Sequence, residues 1–141
     1  MNIFAKTAGV VLAAAALCGL GVGTAAAATS GQVSGTESTV TVYERALKGL
    51  DSVSLPQFTC PSDYPWLYNA DLSPGRIVPR GVQVIEPGGI GVTIGGEKAD
   101  AEGHVIGWNF GGGTATNWNM YPKHLTISAK CTSDPAQAYK R

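Results

Sequence analysis

From residue 82 onward, apolar and polar residues alternate in short runs, and a period of two residues is typical of a half-buried β-strand. Residues 82–85 and 90–94 are β-branched runs joined by the turn-forming segment EPGG (residues 86–89), which predicts a β-hairpin. Residues 104–110 alternate again. The inward face of the last predicted strand consists of Leu125, Ile127, Ala129 and Cys131.

The chain before residue 82 carries weaker strand signals. Residues 39–43 alternate and predict a strand, which a loop or one helical turn follows. Pro74 and Gly75 stand at the centre of segment 73–76, which predicts a type II turn. About six short strands, with turns about every eight to twelve residues, predict an all-β fold, a small antiparallel β-sandwich or barrel.

Both ends of the chain lack this pattern. Residues 1–28 read as a cleavable signal peptide, because the positive charge of Lys6 is followed by an apolar stretch and then by small residues up to Ala28. Leu17 stands before Cys18, where a lipoprotein signal needs a small residue, so lipid anchoring is not expected. We expect a flexible N-terminal arm over 29–38, a single β domain over 39–134 and a C-terminal tail over 135–141.

Removal of the signal peptide changes both the cysteine count and the charge. Cys18 leaves with it, and the remaining pair, Cys60 and Cys131, predicts a disulfide in an exported protein. Loss of Lys6 leaves nine basic and ten acidic residues, a formal charge of −1. This balance, without any basic run, argues against nucleic acid as a partner, and no basic amphipathic helix is present for a membrane surface. We therefore expect a secreted protein with an extracellular glycan or protein as its partner.

Aromatic residues beside amide side chains are the strongest functional signal. The candidate ligand-binding residues are Trp66, Tyr68, Asn117, Trp118, Asn119 and Tyr121. An aromatic ring can cover the apolar face of a sugar while amides bond its hydroxyl groups, so this set predicts a non-enzymatic module that binds a glycan or cell-wall polymer, slightly ahead of a protein. The competing interpretation is core packing, which suits Trp108 and Trp66 better than Trp118.

Residues 73–81 (SPGRIVPRG) suggest a second function. Two prolines stiffen this segment, and Arg76 and Arg80 are side chains that trypsin-like proteases accept. A rigid loop on a disulfide-bonded scaffold is pre-organised for binding, so a secreted protease inhibitor is the alternative. The competing interpretation is an ordinary Pro/Gly turn between strands.

Enzymatic chemistry has less support in the sequence, and we expect a protein that is not an enzyme. A catalytic triad needs a nucleophile and an oriented base, but the mature chain has only His104 and His124 as imidazole bases and no nucleophile elbow. A carboxylate-dependent hydrolase is a remote alternative that would draw on Asp63, Asp71, Glu86, Glu97, Asp100 or Glu102. Asp100, Glu102 and His104 alternate and could hold a metal, but supporting ligands are missing, so no metal or other cofactor is predicted.

Several segments between the two cysteines form a distinctive set. They are Cys60-Pro61, 64–67 (YPWL), 74–79 (PGRIVP), 81–82 (GV), 89–94 (GIGVTI), 116–118 (TNW) and Cys131-Thr132. This set resembles a group of small secreted proteins from actinobacteria. The resemblance spans about half of the chain, implies a disulfide-closed β domain, and carries over no catalytic residue.

Overall fold

The computed structural model describes residues 31–141, so the predicted signal peptide, residues 1–28, lies outside the described residues. In residues 31–141 the chain forms eleven β-strands and no α-helix. The strands are β1 (Gly31–Ser34), β2 (Glu37–Leu47), β3 (Ser52–Ser54), β4 (Phe58–Thr59), β5 (Trp66–Leu67), β6 (Val82–Ile85), β7 (Ile90–Thr93), β8 (Glu97–Ala99), β9 (Val105–Trp108), β10 (Thr114–Asn117) and β11 (Lys123–Thr132). This part of the chain contains no helix long and apolar enough to cross a membrane.

The strands pair antiparallel in three open sheets. The largest has the order β1-β2-β11-β5, with β6 also pairing with β11, and the other two have the orders β3-β10-β7 and β4-β9-β8. This confirms the predicted all-β antiparallel fold. The described chain forms eleven strands where about six were predicted, because all of them except β2 and β11 have only two to four residues, too few to show a clear alternating pattern in sequence.

The longest pairing joins β2 to β11. β2 continues to Leu47, past the point where a loop or helical turn was predicted. The register shifts between Ile127 and Ser128, and Val42 on β2 is the extra residue of this β-bulge, buried in the core. The predicted inward face of β11 is confirmed, since Leu125, Ile127, Ala129 and Cys131 are all fully buried.

The hairpin predicted for residues 82–94 is wrong. β6 pairs with β11, whereas β7 pairs with β10 in another sheet. Val82 of β6 and Ile90 of β7 both enter the common core, so the connection crosses between sheets. Glu86 shapes this crossing, because its carboxylate accepts the N–H of Gly88 and pairs with Arg76. Alternation is the same in a hairpin and in two strands of different sheets, and therefore the pattern does not identify the partner strand.

Both ends of the described chain are hydrogen-bonded into the sheets. Gly31–Ser34 forms β1 and pairs with the start of β2, although this segment was predicted to be part of a flexible arm. Backbone hydrogen bonds order this polar segment, and its sequence has no hydrophobic pattern that would predict them. At the other end, Tyr139 donates its N–H to the carbonyl oxygen of Leu67 at 2.7 Å, and Val105 donates to the carbonyl oxygen of Tyr139 at 2.8 Å. The predicted tail, 135–141, thus joins β5 to β9.

The predicted disulfide between Cys60 and Cys131 is confirmed. It ties the residue after β4 to β11, and so connects the β4-β9-β8 sheet to the largest sheet. The two cysteines are 71 residues apart in sequence, and on the chain-entropy model closure of such a loop stabilises the fold by about 4 kcal/mol. Trp108, also in the β4-β9-β8 sheet, is fully buried beside Phe58, with ring centroids 5.7 Å apart, which confirms its predicted core role.

Candidate binding site

The loop between β10 and β11 presents three large apolar side chains to solvent. Trp118 is 70% exposed, Met120 79% and Tyr121 76%. Leu50, in the turn between β2 and β3, is 66% exposed and lies beside this loop, because its N–H donates to the carbonyl oxygen of Asn119 at 2.9 Å. Leu50, Trp118, Met120 and Tyr121 are termed the apolar surface below.

A buried amide holds the loop in shape. Asn117 is fully buried, and its side-chain nitrogen lies 3.2 Å from the carbonyl oxygen of Leu47, 3.0 Å from that of Lys48 and 2.8 Å from that of Tyr121. Its Oδ1 accepts the backbone N–H of Asn119 at 3.0 Å. Asn117 therefore joins the end of β2 to both sides of the loop. The prediction that Asn117 contacts a ligand is wrong, because its side chain is enclosed and bonded to the protein itself.

The position of Trp118 is fixed by the segment that precedes and begins β7. Trp118 donates its N–H to the carbonyl oxygen of Gly89 at 2.9 Å, and its indole lies over Gly91, where a Cβ would stand 2.8 Å from Nε1. Glycine is needed at 91 because any side chain would displace the ring. The side-chain nitrogen of Asn119 lies 3.2 Å and 3.1 Å from the carbonyl oxygens of Gly88 and Gly89. The N–H groups of this amide are therefore directed at the protein backbone.

The turn that carries Leu50 is strained. Asp51 donates its N–H to the carbonyl oxygen of Lys48 at 3.3 Å, and Leu50 between them has a φ of 58°. This left-handed conformation costs an ordinary residue roughly 1–2 kcal/mol. Gly49 occupies the other central position, where a Cβ would collide with the carbonyl oxygen of Met120. A strained residue with a largely exposed side chain suggests a role other than stabilising the fold.

Trp66 and Tyr68 lie at the other end of β11. Trp66 pairs with Thr132, the last residue of β11, whereas the apolar surface adjoins Lys123, the first. A strand of ten residues places these ends about 30 Å apart. The six predicted ligand-binding residues therefore do not form one surface. Tyr68 is further covered by the ammonium group of Lys130, 3.9 Å from its ring centroid.

Trp66 belongs to a polar cluster instead. Its indole N–H donates to Oδ2 of Asp100 at 2.8 Å, and its ring centroid lies 5.1 Å from that of His104. Oδ1 of Asp100 accepts the backbone N–H of His104 at 2.8 Å. Burial raises the pKa of Asp100, but the hydrogen bonds from His104 and Trp66 outweigh this and hold the pKa below its usual value. Residues 31–141 contain no group of three side chains placed to hold a metal ion.

The two arginines of the inhibitor alternative have different environments. Arg76 pairs with the largely buried carboxylate of Glu86, and its guanidinium lies 3.4 Å from the carbonyl oxygen of Ile90. A trypsin-like protease requires a free arginine side chain, so the prediction that Arg76 is presented to a protease is wrong. Arg80 is exposed and donates to Oδ1 of Asn69 at 3.0 Å.

Comparisons with protein-family models, with curated proteins and with solved structures find no match to this chain. The resemblance to small secreted actinobacterial proteins therefore stays a prediction. Sequence reasoning identified Trp118 and Tyr121 but missed Leu50 and Met120, because single apolar residues in loops have no period. The available signal was their polar surroundings, since Met120 follows Asn119 and Leu50 stands in a short turn.

Proposed function

We propose that this chain is a secreted, non-enzymatic binding module that docks a protein partner through the apolar surface. The observation that carries the proposal is the exposure of four large apolar side chains on a rigid framework. With about 200 Å² for each large side chain, their exposed area is on the order of 500 Å². Apolar patches of this size on a protein surface commonly mark interaction sites.

The composition of the apolar surface favours a protein over a glycan. Tyr, Trp and Met are enriched at the centres of protein interfaces. A sugar site needs polar groups for hydroxyls, but Asn117 is buried and the side-chain N–H groups of Asn119 bond the backbone. Met120 adds a flexible, polarisable side chain that adapts to an irregular apolar pocket.

The charges around the apolar surface define the partner further. Lys48 is exposed in the turn beside Leu50, and Lys123 begins β11 directly after the loop. The acidic residue of that turn, Asp51, accepts the N–H of Ser52 at 3.0 Å. Because the two lysines outnumber this one carboxylate, the edge of the surface has a net positive charge, and a complementary partner has an apolar pocket with an acidic rim.

Secretion is supported by the signal-peptide pattern of residues 1–28 and by the Cys60–Cys131 disulfide, which is typical of oxidising compartments. A binding role, rather than catalysis by an imidazole base, is supported by the surroundings of His104 and His124. His104 packs against Trp66, and the Nε2 of His124 lies 3.2 Å from Oε1 of Glu44 on an exposed face. Neither arrangement supplies a nucleophile for an imidazole base to activate.

The proposal is tested by replacing Met120 with a photo-crosslinking amino acid and irradiating the protein in the extracellular fraction of its source. The adduct is identified by mass spectrometry, and the purified partner is titrated against the wild type and against Trp118→Ala by calorimetry. We expect the substitution to weaken binding at least about 30-fold, as for a residue at the centre of an interface. Trp66→Phe is the control, because Trp66 lies at the far end of β11 and its substitution leaves affinity unchanged.

A second arm measures retention of the wild type and of Trp118→Ala on cellulose, chitin and peptidoglycan. Retention that depends on Trp118 would show that the apolar surface binds a glycan and not a protein. Adducts that contain only two copies of this chain would show that the apolar surface mediates self-association. The proposal is also overturned if no adduct forms, or if the partner binds Trp118→Ala as tightly as the wild type.

A further inference from the structure

The segment 73–81 is separate from the apolar surface in sequence and presents a single apolar side chain. Ile77 is 97% exposed, more than any other large hydrophobic residue in residues 35–141. The turn before it forms as predicted, since Gly75 has a φ of 82° and Arg76 donates its N–H to the carbonyl oxygen of Ser73 at 3.1 Å. Segment 73–81 is termed the presentation loop below.

Bonds to the rest of the domain hold the presentation loop at both ends. Ser73 is buried, and its hydroxyl accepts the N–H of Val84 on β6 at 2.8 Å. Arg76 is held by Glu86, as described above. After the exposed residue, Gly81 donates its N–H to the carbonyl oxygen of Ala70 at 2.8 Å. Because both flanks are fixed, ordering the loop on binding costs little conformational entropy.

Between these anchors, residues 77–79 form no regular secondary structure, and the backbone of Ile77 and Val78 is unpaired within residues 31–141. Val78 stands before Pro79, and a residue before proline is restricted to extended conformations. The side chain of Val78 packs against the core while that of Ile77 points to solvent, the alternation of a strand. Among the residues that the structure describes, none hydrogen-bonds the backbone N–H or C=O groups of Ile77 or Val78.

We infer that the presentation loop binds the active-site cleft of a serine endopeptidase whose primary specificity pocket is apolar. Such clefts take an extended segment by main-chain hydrogen bonds and one side chain in a pocket, which is recognition by strand addition. Ile77 supplies the side chain, and the free backbone groups of Ile77 and Val78 supply the main-chain bonds. The chain is then a protease inhibitor in addition to a binding module.

The environment of the loop sets the specificity. A protease that selects arginine needs a free guanidinium, but that of Arg76 is bound to Glu86 and Ile90, and that of Arg80 donates to Asn69. Removing Arg76 from Glu86 leaves a largely buried carboxylate unpaired, which is costly. The protease class that fits has an apolar or small pocket, as in chymotrypsin or elastase, and not the acidic pocket of trypsin.

The inference is tested by measuring inhibition constants of the purified protein against elastase, chymotrypsin, subtilisin and trypsin. We expect at least one of the first three to be inhibited and trypsin to keep full activity. Ile77→Asp should weaken inhibition at least about 30-fold. Its melting temperature should stay unchanged, because the side chain is almost fully exposed. Ile85→Asp is the matched control, since Ile85 is an exposed isoleucine on β6 outside the loop, and it retains inhibition.

The inference would be overturned by full activity of all three apolar-pocket proteases at large molar excess, by equal inhibition by Ile77→Asp and wild type, or by rapid cleavage after Ile77 with loss of inhibition. Trp118→Ala separates this inference from the proposed function. That variant inhibits the protease as the wild type does if the loop acts alone. Loss of inhibition in Trp118→Ala would show that the apolar surface, and not the presentation loop, contacts the protease.

Discussion

The strained turn at Leu50 leads to an inverted order of stability between two substitutions. Leu50→Ala and Leu50→Gly both remove the same largely exposed side chain, so the loss of packing is small and similar in the two variants. In an ordinary backbone conformation alanine is the more stable of the two by about 0.5–1 kcal/mol, because glycine has more conformational freedom to lose on folding. At a φ of 58° alanine keeps the left-handed strain and glycine does not.

The size of the inversion can be estimated from these opposing effects. Relief of the strain favours glycine by roughly 1–2 kcal/mol, and the entropy of the unfolded chain opposes it by about 0.5–1 kcal/mol. Leu50→Gly should therefore be more stable than Leu50→Ala by about 1 kcal/mol. For a folded part of about 110 residues, with an unfolding entropy near 2.1 cal/mol/K per residue, this difference corresponds to about 4 °C in melting temperature.

Thermal unfolding followed by near-ultraviolet circular dichroism, together with urea titration, measures this difference. Leu47→Ala is the reference for a buried leucine on the same segment, and it should cost about 2–5 kcal/mol. If Leu50→Ala is as stable as Leu50→Gly or more so, Leu50 is not strained and its conformation no longer supports a functional role. If the inversion is found and neither variant binds the partner, then leucine at position 50 lowers the stability of the fold but is required for binding.

Three further predictions concern the framework. Asn117→Ala should lower the free energy of unfolding by about 2–3 kcal/mol in a urea titration, because it removes three hydrogen bonds to buried or partly buried carbonyl oxygens; a loss below about 0.5 kcal/mol would contradict this. Joint replacement of Cys60 and Cys131 by serine should cost up to about 4 kcal/mol by the same measurement, and an unchanged unfolding midpoint would refute the role of the disulfide. Because the folded pKa of Asp100 is lowered from 3.8, its stabilisation is present above that value and is lost as the pH falls through the folded pKa. Wild-type stability should therefore fall more steeply below about pH 4 than that of Asp100→Asn, and parallel pH profiles would contradict this.

The sequence predicted those parts of the fold that depend on burial along a single strand. Leu125, Ile127, Ala129 and Cys131 alternate with polar residues, and their burial follows directly from the pleat. The disulfide was predicted from the cysteine count, because the expected loss of Cys18 with a signal peptide would leave the single pair Cys60 and Cys131. The type II turn at Gly75 followed from the requirement for a positive φ.

Pairing between strands was less accessible from sequence. β6 and β7 are neighbours in the chain and have turn residues between them, yet each finds its partner elsewhere. Partner choice depends on which long strand offers unpaired backbone groups, and β11 is contributed by residues forty positions further along. The candidate ligand-binding residues lie on two separate surfaces for the same reason. Trp66 and Trp118 were both candidates for one binding surface, but they lie at opposite ends of β11.

The two proposed surfaces share a physical feature that sequence patterns do not contain. In each, a large apolar side chain is kept in water by backbone bonds that do not depend on it. Asn117 would hold the loop around Trp118 with any residue at position 118, and the anchors of the presentation loop would hold it with any residue at position 77. Folding therefore gains little from an apolar residue at either place. Because exposed apolar side chains also promote association, their presence at sites where the fold does not need them supports both proposals, in which a partner buries them.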